Sequence, residues 1–322
     1  MKKIVQIITF LGMICVIGFI VRVTVFKDNN KDMNDQLKST ELKQSEPFQC
    51  ENYDENTFYV DGDWYYSRHA KMYKTVWDTY AETDTAYKSP EEFLNEIDKN
   101  VKCISEFLKK PDWEKQYRGN EDREIIITVS TTTGKPRMTG GAYGEAMLEL
   151  PSYLVNLDLS PLTHEITHLI APNNKTNNYA YSLKEGLATY MTEMMGYPGA
   201  HRLGAPVHSL AKQFLNEEHQ ALIDVIGLQL PSMDYYFDHM YAFYNLSNSF
   251  TKFLIEEYGL EKFMLVYMSD YLVEDYSDTY GKSYEELKQE WIEMLEYEES
   301  YEYTFEELHI RYYGITSEGS EK

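Results

Sequence analysis

The chain has 322 residues, 43% of them hydrophobic and 15% aromatic, which is ample for one large or two small globular units with a buried core. Its formal net charge at pH 7 is −23. No basic patch is present that could neutralise phosphates, so the composition argues against nucleic acid as a partner.

The chain begins with an apolar run at residues 4–26 that only Gln6 and Arg22 interrupt. Residues 7–21 between these two form an uninterrupted stretch of 15 residues, the whole run of 23 residues is long enough to cross a bilayer, and two lysines precede it. We therefore expect residues 1–26 to be an uncleaved single-pass anchor in the cell membrane, with the rest of the chain extracytoplasmic. The alternative is a cleaved signal peptide and a secreted protein, although the run lacks a small-residue cleavage site. The polar residues 27–47 are predicted to be a linker.

The stretch after the linker contains the strand signals and the clearest helix start. Strands are predicted at 57–66 (a hairpin around an Asp-Gly turn), at 124–130 and at 145–150. The run at 124–130 is continuously β-branched, which is typical of a central strand. Ser89, followed by Pro90, predicts a capped helix that continues to about Lys110.

Two cysteines, Cys50 and Cys103, lie beyond the linker. An oxidising compartment outside the cytoplasm would permit them to pair. Exported proteins also exist without disulfides, so the sequence leaves the pairing open.

Two histidines and a glutamate share one predicted helix at residues 160–172. A Ser-Pro pair starts this helix and Pro172 ends it. His164 and His168 are one turn apart and project from the face opposite the apolar one. Two imidazoles at this spacing can bind one zinc ion, and Glu165 beside the first can act on a zinc-activated water. The pattern H-E-x-x-H also arises by chance, so it needs a third ligand to support it.

Glu185 is the candidate third ligand. It lies near the start of a second predicted helix, residues 183–195, which a loop joins to the first helix. Two antiparallel helices would bring this carboxylate to the histidines. The alternative is that Ser182 and Glu185 form a capping box, in which the glutamate only serves its own helix.

Together, His164-Glu165-x-x-His168 and Glu185-Gly-x-Ala resemble the gluzincin zinc metallopeptidases, especially their small membrane-associated and aminopeptidase-like branches. The resemblance implies an α+β, zincin-like fold with one Zn²⁺ per chain, and hydrolysis of a peptide or protein substrate with Glu165 as general base. The implied domains are a sheet-and-active-site-helix half at 48–200, a helical half at 201–310 and a tail at 311–322. Thr189 departs from thermolysin, which has an acidic residue at that place.

The resemblance also implies a substrate-binding edge. In gluzincins the strand before the metal helix is a sheet edge along which the substrate lies extended, and residues 145–150 are placed to do the same. Gly140, Gly141 and Ala142 precede this strand, and the glycines could let a substrate backbone come close. A simple turn before a strand explains the same residues equally well.

The rest of the chain reads as helical. Helices are predicted at 208–214, 234–258, 261–271 and 284–297, with loops at 196–206 and 275–282. Gluzincins supply an oxyanion donor from this half, and Tyr244 is the candidate that the resemblance favours. Tyr241 and His239 are the alternative donors.

Two other kinds of protein remain possible from the sequence. One is a catalytically silent zincin-fold module that binds or senses a ligand at the membrane, although an intact Glu165 argues against it. The other is an anchored structural domain in which His164 and His168 bind no metal. Metal analysis separates the second from the zinc proteins.

Overall fold

The computed structural model describes residues 48, 50, 57–83, 86–117, 124–152, 161–173, 180–230, 233–269, 272–304 and 306–308, which all belong to one unit, Ser45–Lys322. The predicted anchor, linker and C-terminal tail lie outside the described residues, so all three stay predictions. Among the helices of the described part, none combines the length and the hydropathy that crossing a bilayer requires.

The described strands form one mixed sheet, which confirms the α+β class. The strands are β1 (Tyr59–Asp61), β2 (Trp64–Tyr66), β3 (Ala70–Tyr73), β4 (Ile126–Thr131), β5 (Arg137–Gly140) and β6 (Glu145–Leu150). Their order across the sheet is β1-β2-β3-β4-β6-β5. The β3–β4 and β4–β6 pairs are parallel and the others are antiparallel. The predicted hairpin is therefore β1–β2, and the β-branched run is β4 in the middle of the sheet.

The edge of the sheet differs from the expectation. Strand β6 has the predicted bounds but pairs with β4 on one side and β5 on the other, so it is not an edge. The edge strand is β5, whose Thr139 lies opposite Met147. The sequence Arg-Met-Thr-Gly has no clear strand pattern, because the strand is only four residues long and Met138 is its one half-buried residue.

Helices make up most of the remaining described chain. They are α1 (Lys74–Ala81), α2 (Pro90–Phe107), α3 (Leu162–Ile170), α4 (Tyr181–Met194), α5 (Val207–Lys212), α6 (Gln220–Ile223), α7 (Met233–Asp238), α8 (Met240–Tyr258), α9 (Leu260–Tyr267), α10 (Leu272–Tyr280) and α11 (Tyr284–Tyr297). Short 3-10 helices occupy Trp113–Gln116, Ala142–Gly144 and Glu217–His219.

The predicted helix starts are confirmed where a capping residue is present. Ser89 accepts a hydrogen bond from the backbone of Glu92 at the start of α2. Ser283 forms a full capping box at the start of α11, which has the predicted bounds. Helix α2 ends at Phe107, three residues before the predicted Lys110, and Lys109 adopts a positive φ of 53°.

The helical half corrects two predictions. The single helix predicted at 234–258 is two helices, α7 and α8, that break at His239, whose φ and ψ are −120° and 34°. The loop predicted at 275–282 is mostly helix α10, which the acidic and aromatic sequence conceals. Tyr276 and Tyr280, one turn apart on this helix, are buried, so tertiary packing of the aromatic side chains stabilises it.

One hydrophobic core runs through both predicted halves. It contains Ile127 and Leu148 of the sheet, Ile166 of α3, Leu187 of α4, Phe250 of α8 and Trp291 of α11. The sheet, the metal-motif helix and the long helix α8 thus pack on common side chains, which holds α3 in a fixed position relative to α4 and α8.

Two polar features tie the N-terminal segment to this core. Cys50 and Cys103 form a disulfide, with Cα atoms 5.2 Å apart, so the pairing that the sequence left open is present. The buried carboxylate of Asp98 accepts hydrogen bonds of 2.8 Å from the backbone N–H groups of Arg68 and His69. The disulfide joins helix α2 to Cys50, and the hydrogen bonds of Asp98 join the same helix to the segment between β2 and β3.

Candidate metal centre

Helix α3 places the two histidines next to the sheet. Its apolar side chains Ile166, Leu169 and Ile170 are buried in the core. The carbonyl groups at its C-terminal end accept hydrogen bonds from Gln116 Nε2 and from the Tyr117 hydroxyl, which satisfies backbone acceptors that the helix cannot. The predicted cap, Ser160, lies outside the described residues, and the helix begins at Leu162, one residue after the predicted Pro161.

Helix α4 presents Glu185 to the histidines. The helix starts at Tyr181, so Ser182 is inside it rather than at its cap. The Ser182 hydroxyl accepts a hydrogen bond of 2.7 Å from the backbone N–H of Gly227. The capping-box alternative is therefore wrong, and the Glu185 side chain is directed at α3.

The three predicted ligands converge. Glu185 Oε2 lies 3.0 Å from His164 Nε2 and 3.5 Å from His168 Nε2, and the two Nε2 atoms are 3.2 Å apart. Zinc bonds of about 2.0–2.2 Å in tetrahedral geometry require donor atoms about 3.3 Å apart. The residues present therefore fit a zinc ion with three protein ligands.

The protonation of these atoms favours the same interpretation. His164 Nε2 has either one proton or one lone pair, yet it faces both a carboxylate oxygen and the Nε2 of His168. With a proton it bonds to one of the two neighbours, and without one its lone pair opposes the lone pairs of Glu185. A cation among the three atoms removes this conflict, because each atom then donates a lone pair to it.

The electrostatics keep Glu185 ionised. Burial alone would raise its pKa, but the charge of His168 and the hydrogen bonds of both histidines outweigh burial and hold the pKa of Glu185 well below its usual range. Burial alone would lower the pKa of His164. The hydrogen bond and the charge of Glu185 outweigh burial, so the pKa of His164 is raised. The group on α4 is thus a carboxylate, which is the form that binds metal.

The surroundings of the ligands differ from a thermolysin-like site. Thr189 donates its hydroxyl to the backbone carbonyl of Glu185 at 2.8 Å, and so steadies the ligand's own helix. His168 Nδ1 is buried and has no hydrogen-bond partner among the described residues. In metal sites the second imidazole nitrogen usually donates to an acceptor that orients the ring. The described part of the chain supplies no such acceptor for His168.

Glu165 follows His164 on α3 and is 6% exposed. Among the residues that the structure describes, no side chain hydrogen-bonds to its carboxylate. Its charge is close enough to help raise the pKa of His164. A carboxylate in this position is available to a water molecule at the centre.

Tyr244 of α8 lies beside the predicted ligands. Its ring centroid is 6.1 Å from that of His164, and His201 stacks on it with centroids 3.9 Å apart. The hydroxyl groups of Tyr236 and Tyr244 are hydrogen-bonded to each other at 3.1 Å. Burial, reinforced by the charge of Glu185, raises the pKa of Tyr244. Tyr244 is therefore a neutral phenol at pH 7.

The two alternative donors point away from the centre. The Tyr241 hydroxyl donates to the backbone carbonyl of Tyr303 at 3.0 Å. His239 lies against His219, with ring centroids 5.4 Å apart. Of the three predicted donors, Tyr244 is the one that the structure brings to the histidines.

The glycine pair has a structural explanation. Gly140 ends β5 and Gly141 follows it, with φ values of 92° and 90° that favour glycine, and Ala142 begins the next 3-10 turn. A Cβ on Gly141 would lie 2.7 Å from Cδ1 of Tyr117, whose hydroxyl donates to Leu169 of α3. The pair therefore forms the β5–β6 turn against the metal helix, and its contact with a substrate stays a prediction.

Sequence reasoning missed Tyr236 and the role of Gly186. Tyr236 is one of 29 tyrosines and has no motif that marks it. Gly186 stands directly after Glu185, and a Cβ there would lie 2.5 Å from the backbone oxygen of Ser247 on α8. The Glu-Gly pair was the available signal, since a glycine inside a helix indicates a close approach of backbones.

Comparison of the chain with protein-family models, with curated proteins and with solved structures finds no match. The resemblance to gluzincins therefore rests on the motif residues and their spacing in the sequence, and it stays a prediction.

Proposed function

We propose that this chain is a zinc-dependent peptidase of the gluzincin type, which hydrolyses peptide bonds outside the cytoplasm. The observation that carries the proposal is the convergence of His164, His168 and Glu185, whose donor atoms lie 3.0–3.5 Å apart. These residues would hold Zn²⁺, which when bound supplies a Lewis acid that acidifies a water and polarises a carbonyl.

Glu165 is the general base in this proposal. Its carboxylate is adjacent in sequence to a ligand, buried, and without a side-chain partner in the described chain. It takes the proton of the attacking water and delivers that proton to the amine that leaves. One group thus acts first as base and then as acid.

Tyr244 is the proposed oxyanion donor. Its hydroxyl is hydrogen-bonded to that of Tyr236, and its ring lies beside that of His164. A phenol with a raised pKa does not ionise at neutral pH, and it can donate to the oxygen that becomes negative when the carbonyl is attacked. Tyr236 then acts as a positioning residue for this donor.

The unpaired side of β5 is the proposed substrate edge. Helix α3 contacts β5, and β6 is the one described strand that pairs with β5. The free backbone N–H and C=O groups of an edge strand can pair with an extended peptide. The sequence predicted that β6 is the substrate-binding edge, and this assignment replaces β6 with its neighbour β5.

The test is the zinc content of the full-length chain together with digestion of a peptide library. The wild-type chain is expected to bind zinc at the centre and to cleave peptides. The variants His164→Ala and Glu185→Ala are expected to lose both the zinc at the centre and the cleavage. His69→Gln, which changes a half-buried histidine outside the centre, is the control and should retain both. Zinc binding without cleavage would favour the binding or sensing module, and unchanged zinc in both variants would refute the centre.

A further inference from the structure

A second group of metal-ligating side chains lies outside the centre described above. One donor atom from each of Glu218, His219 and His239 lies within 4.8 Å of the others. The imidazole rings of His219 and His239 meet edge to face, with centroids 5.4 Å apart and an angle of 85°. Glu218 and His219 belong to the 3-10 helix Glu217–His219, whereas His239 is the residue between α7 and α8. Three separate side chains thus meet at a junction of two segments.

Neighbouring groups orient the ring of His219. The Asn216 side-chain nitrogen donates to the carbonyl of Gln213 at 3.0 Å, which fixes which end of that amide is oxygen. The Asn216 oxygen lies 3.1 Å from the backbone nitrogen and 2.8 Å from Nδ1 of His219. Because this oxygen can only accept, Nδ1 has the proton and Nε2 has the lone pair. Metal-binding histidines show this arrangement, with one nitrogen donating to an acceptor and the other left for the ion.

We infer that Glu218, His219 and His239 bind a second divalent transition-metal ion of the zinc, nickel or copper class. Two imidazoles and one carboxylate suit these borderline cations, whereas Mg²⁺ and Ca²⁺ select oxygen ligands. The ring of Phe214 packs edge to face on His219 at 5.2 Å and shields one side of the site.

The ion would join two segments that the sequence separates by about twenty residues. His239 is at the N-terminal end of α8, whose next turn contains Tyr244, and Tyr236 lies on α7 just before the break. An ion that binds the folded chain and not the unfolded one stabilises the fold, by an amount that grows with the logarithm of the free ion concentration above Kd. The ion therefore raises the unfolding temperature of a chain that lacks the first centre.

The experiment uses the full-length chain with His164→Ala and His168→Ala, which removes the first centre. After treatment with a chelator, this chain is titrated with Zn²⁺ in a calorimeter, and its thermal unfolding is followed with and without Zn²⁺. One bound equivalent and a higher unfolding temperature are expected. Adding His219→Ala or His239→Ala should weaken binding by about 10- to 100-fold or more and abolish the temperature shift.

Glu218→Gln and its neighbour Glu217→Gln form a matched pair that does not endanger folding, because both side chains are exposed. The first should weaken Zn²⁺ binding about tenfold or more and the second should leave it unchanged. Absence of a bound equivalent in the starting chain overturns the inference. So does equal affinity in Glu218→Gln, His239→Ala and the starting chain. Loss of the first centre alone leaves this result unaffected, so the two proposals are tested separately.

Discussion

Replacing Gly186 by alanine is expected to displace Glu185 of the candidate centre, because Gly186 lies in the interface between two packed helices. Helix α4, which carries Glu185, packs along α8, which carries Tyr244. A Cβ on Gly186 would lie 2.5 Å from the backbone oxygen of Ser247 and would also overlap the hydroxyl of Thr251. The side chain of threonine can rotate, but the backbone of a long buried helix cannot move alone.

The size of the effect follows from this distance. Ordinary contact begins near 3.4 Å, so α4 and α8 must separate locally by about 0.9 Å. Overpacking of this kind costs about 1–3 kcal/mol, and the better helix propensity of alanine offsets about 1 kcal/mol of it. The net loss of stability is therefore about 1 kcal/mol. A displacement of about 1 Å at a reacting centre costs about a hundredfold in rate, so activity should fall far more than stability.

Thermal unfolding, zinc affinity and peptide turnover of Gly186→Ala would be measured beside Gly134→Ala. At Gly134 the added Cβ meets only Thr132 Oγ1 at 3.5 Å, an ordinary contact, so the same chemical change has room. The control should behave as the wild type. Full turnover and unchanged zinc affinity in Gly186→Ala would refute the argument that this helix interface positions Glu185.

Three other predictions address the site, the pH dependence and the disulfide. Tyr244→Phe should lower kcat about a hundredfold with KM and zinc content nearly unchanged, whereas Tyr241→Phe should be fully active; steady-state kinetics that give the reverse order would move the donor role. Burial, aided by the charge of Lys252, lowers the pKa of His208 to about 3. Below about pH 6.5 the unfolded chain therefore binds a proton at His208, whereas the folded chain does not bind it until about pH 3. Stability should therefore fall by about 1.4 kcal/mol per pH unit from this group between pH 6.5 and 3, and chemical unfolding of His208→Gln should lack this part of the slope; an identical slope would exclude the role. Cys103→Ala should lower the free energy of unfolding by about 2–4 kcal/mol, because the bridge spans 53 residues, and a urea titration that shows no loss would contradict the pairing.

The metal-motif helices were predictable because their signals are local. His164 and His168 are one turn apart on a short amphipathic helix, and Glu185 begins the next helix within reach. The cap Ser89 likewise acts within three residues and is found where the sequence predicts it, and Ser283 caps α11 over the same short range. Such features depend on hydrogen bonds that the chain makes with its nearest neighbours.

The edge strand and the break in the long helix depend on distant contacts. Strand β5 is recognisable only by its pairing with β6, which its sequence does not specify. At His239 the helical pattern continues across the break, while the side chain lies against His219 of another segment. The capping box at Ser182 was a competing local signal, and the tertiary hydrogen bond from Gly227 replaced it.

Peptide turnover by Glu165→Gln, compared with wild type at matched zinc content, tests the central claim most directly. The substitution keeps the size of a buried side chain on α3 and removes its ability to accept a proton. The account predicts that the variant binds zinc, unfolds at the wild-type temperature and cleaves the same peptides about 10²- to 10⁴-fold more slowly. Turnover equal to wild type, with zinc present, would contradict it.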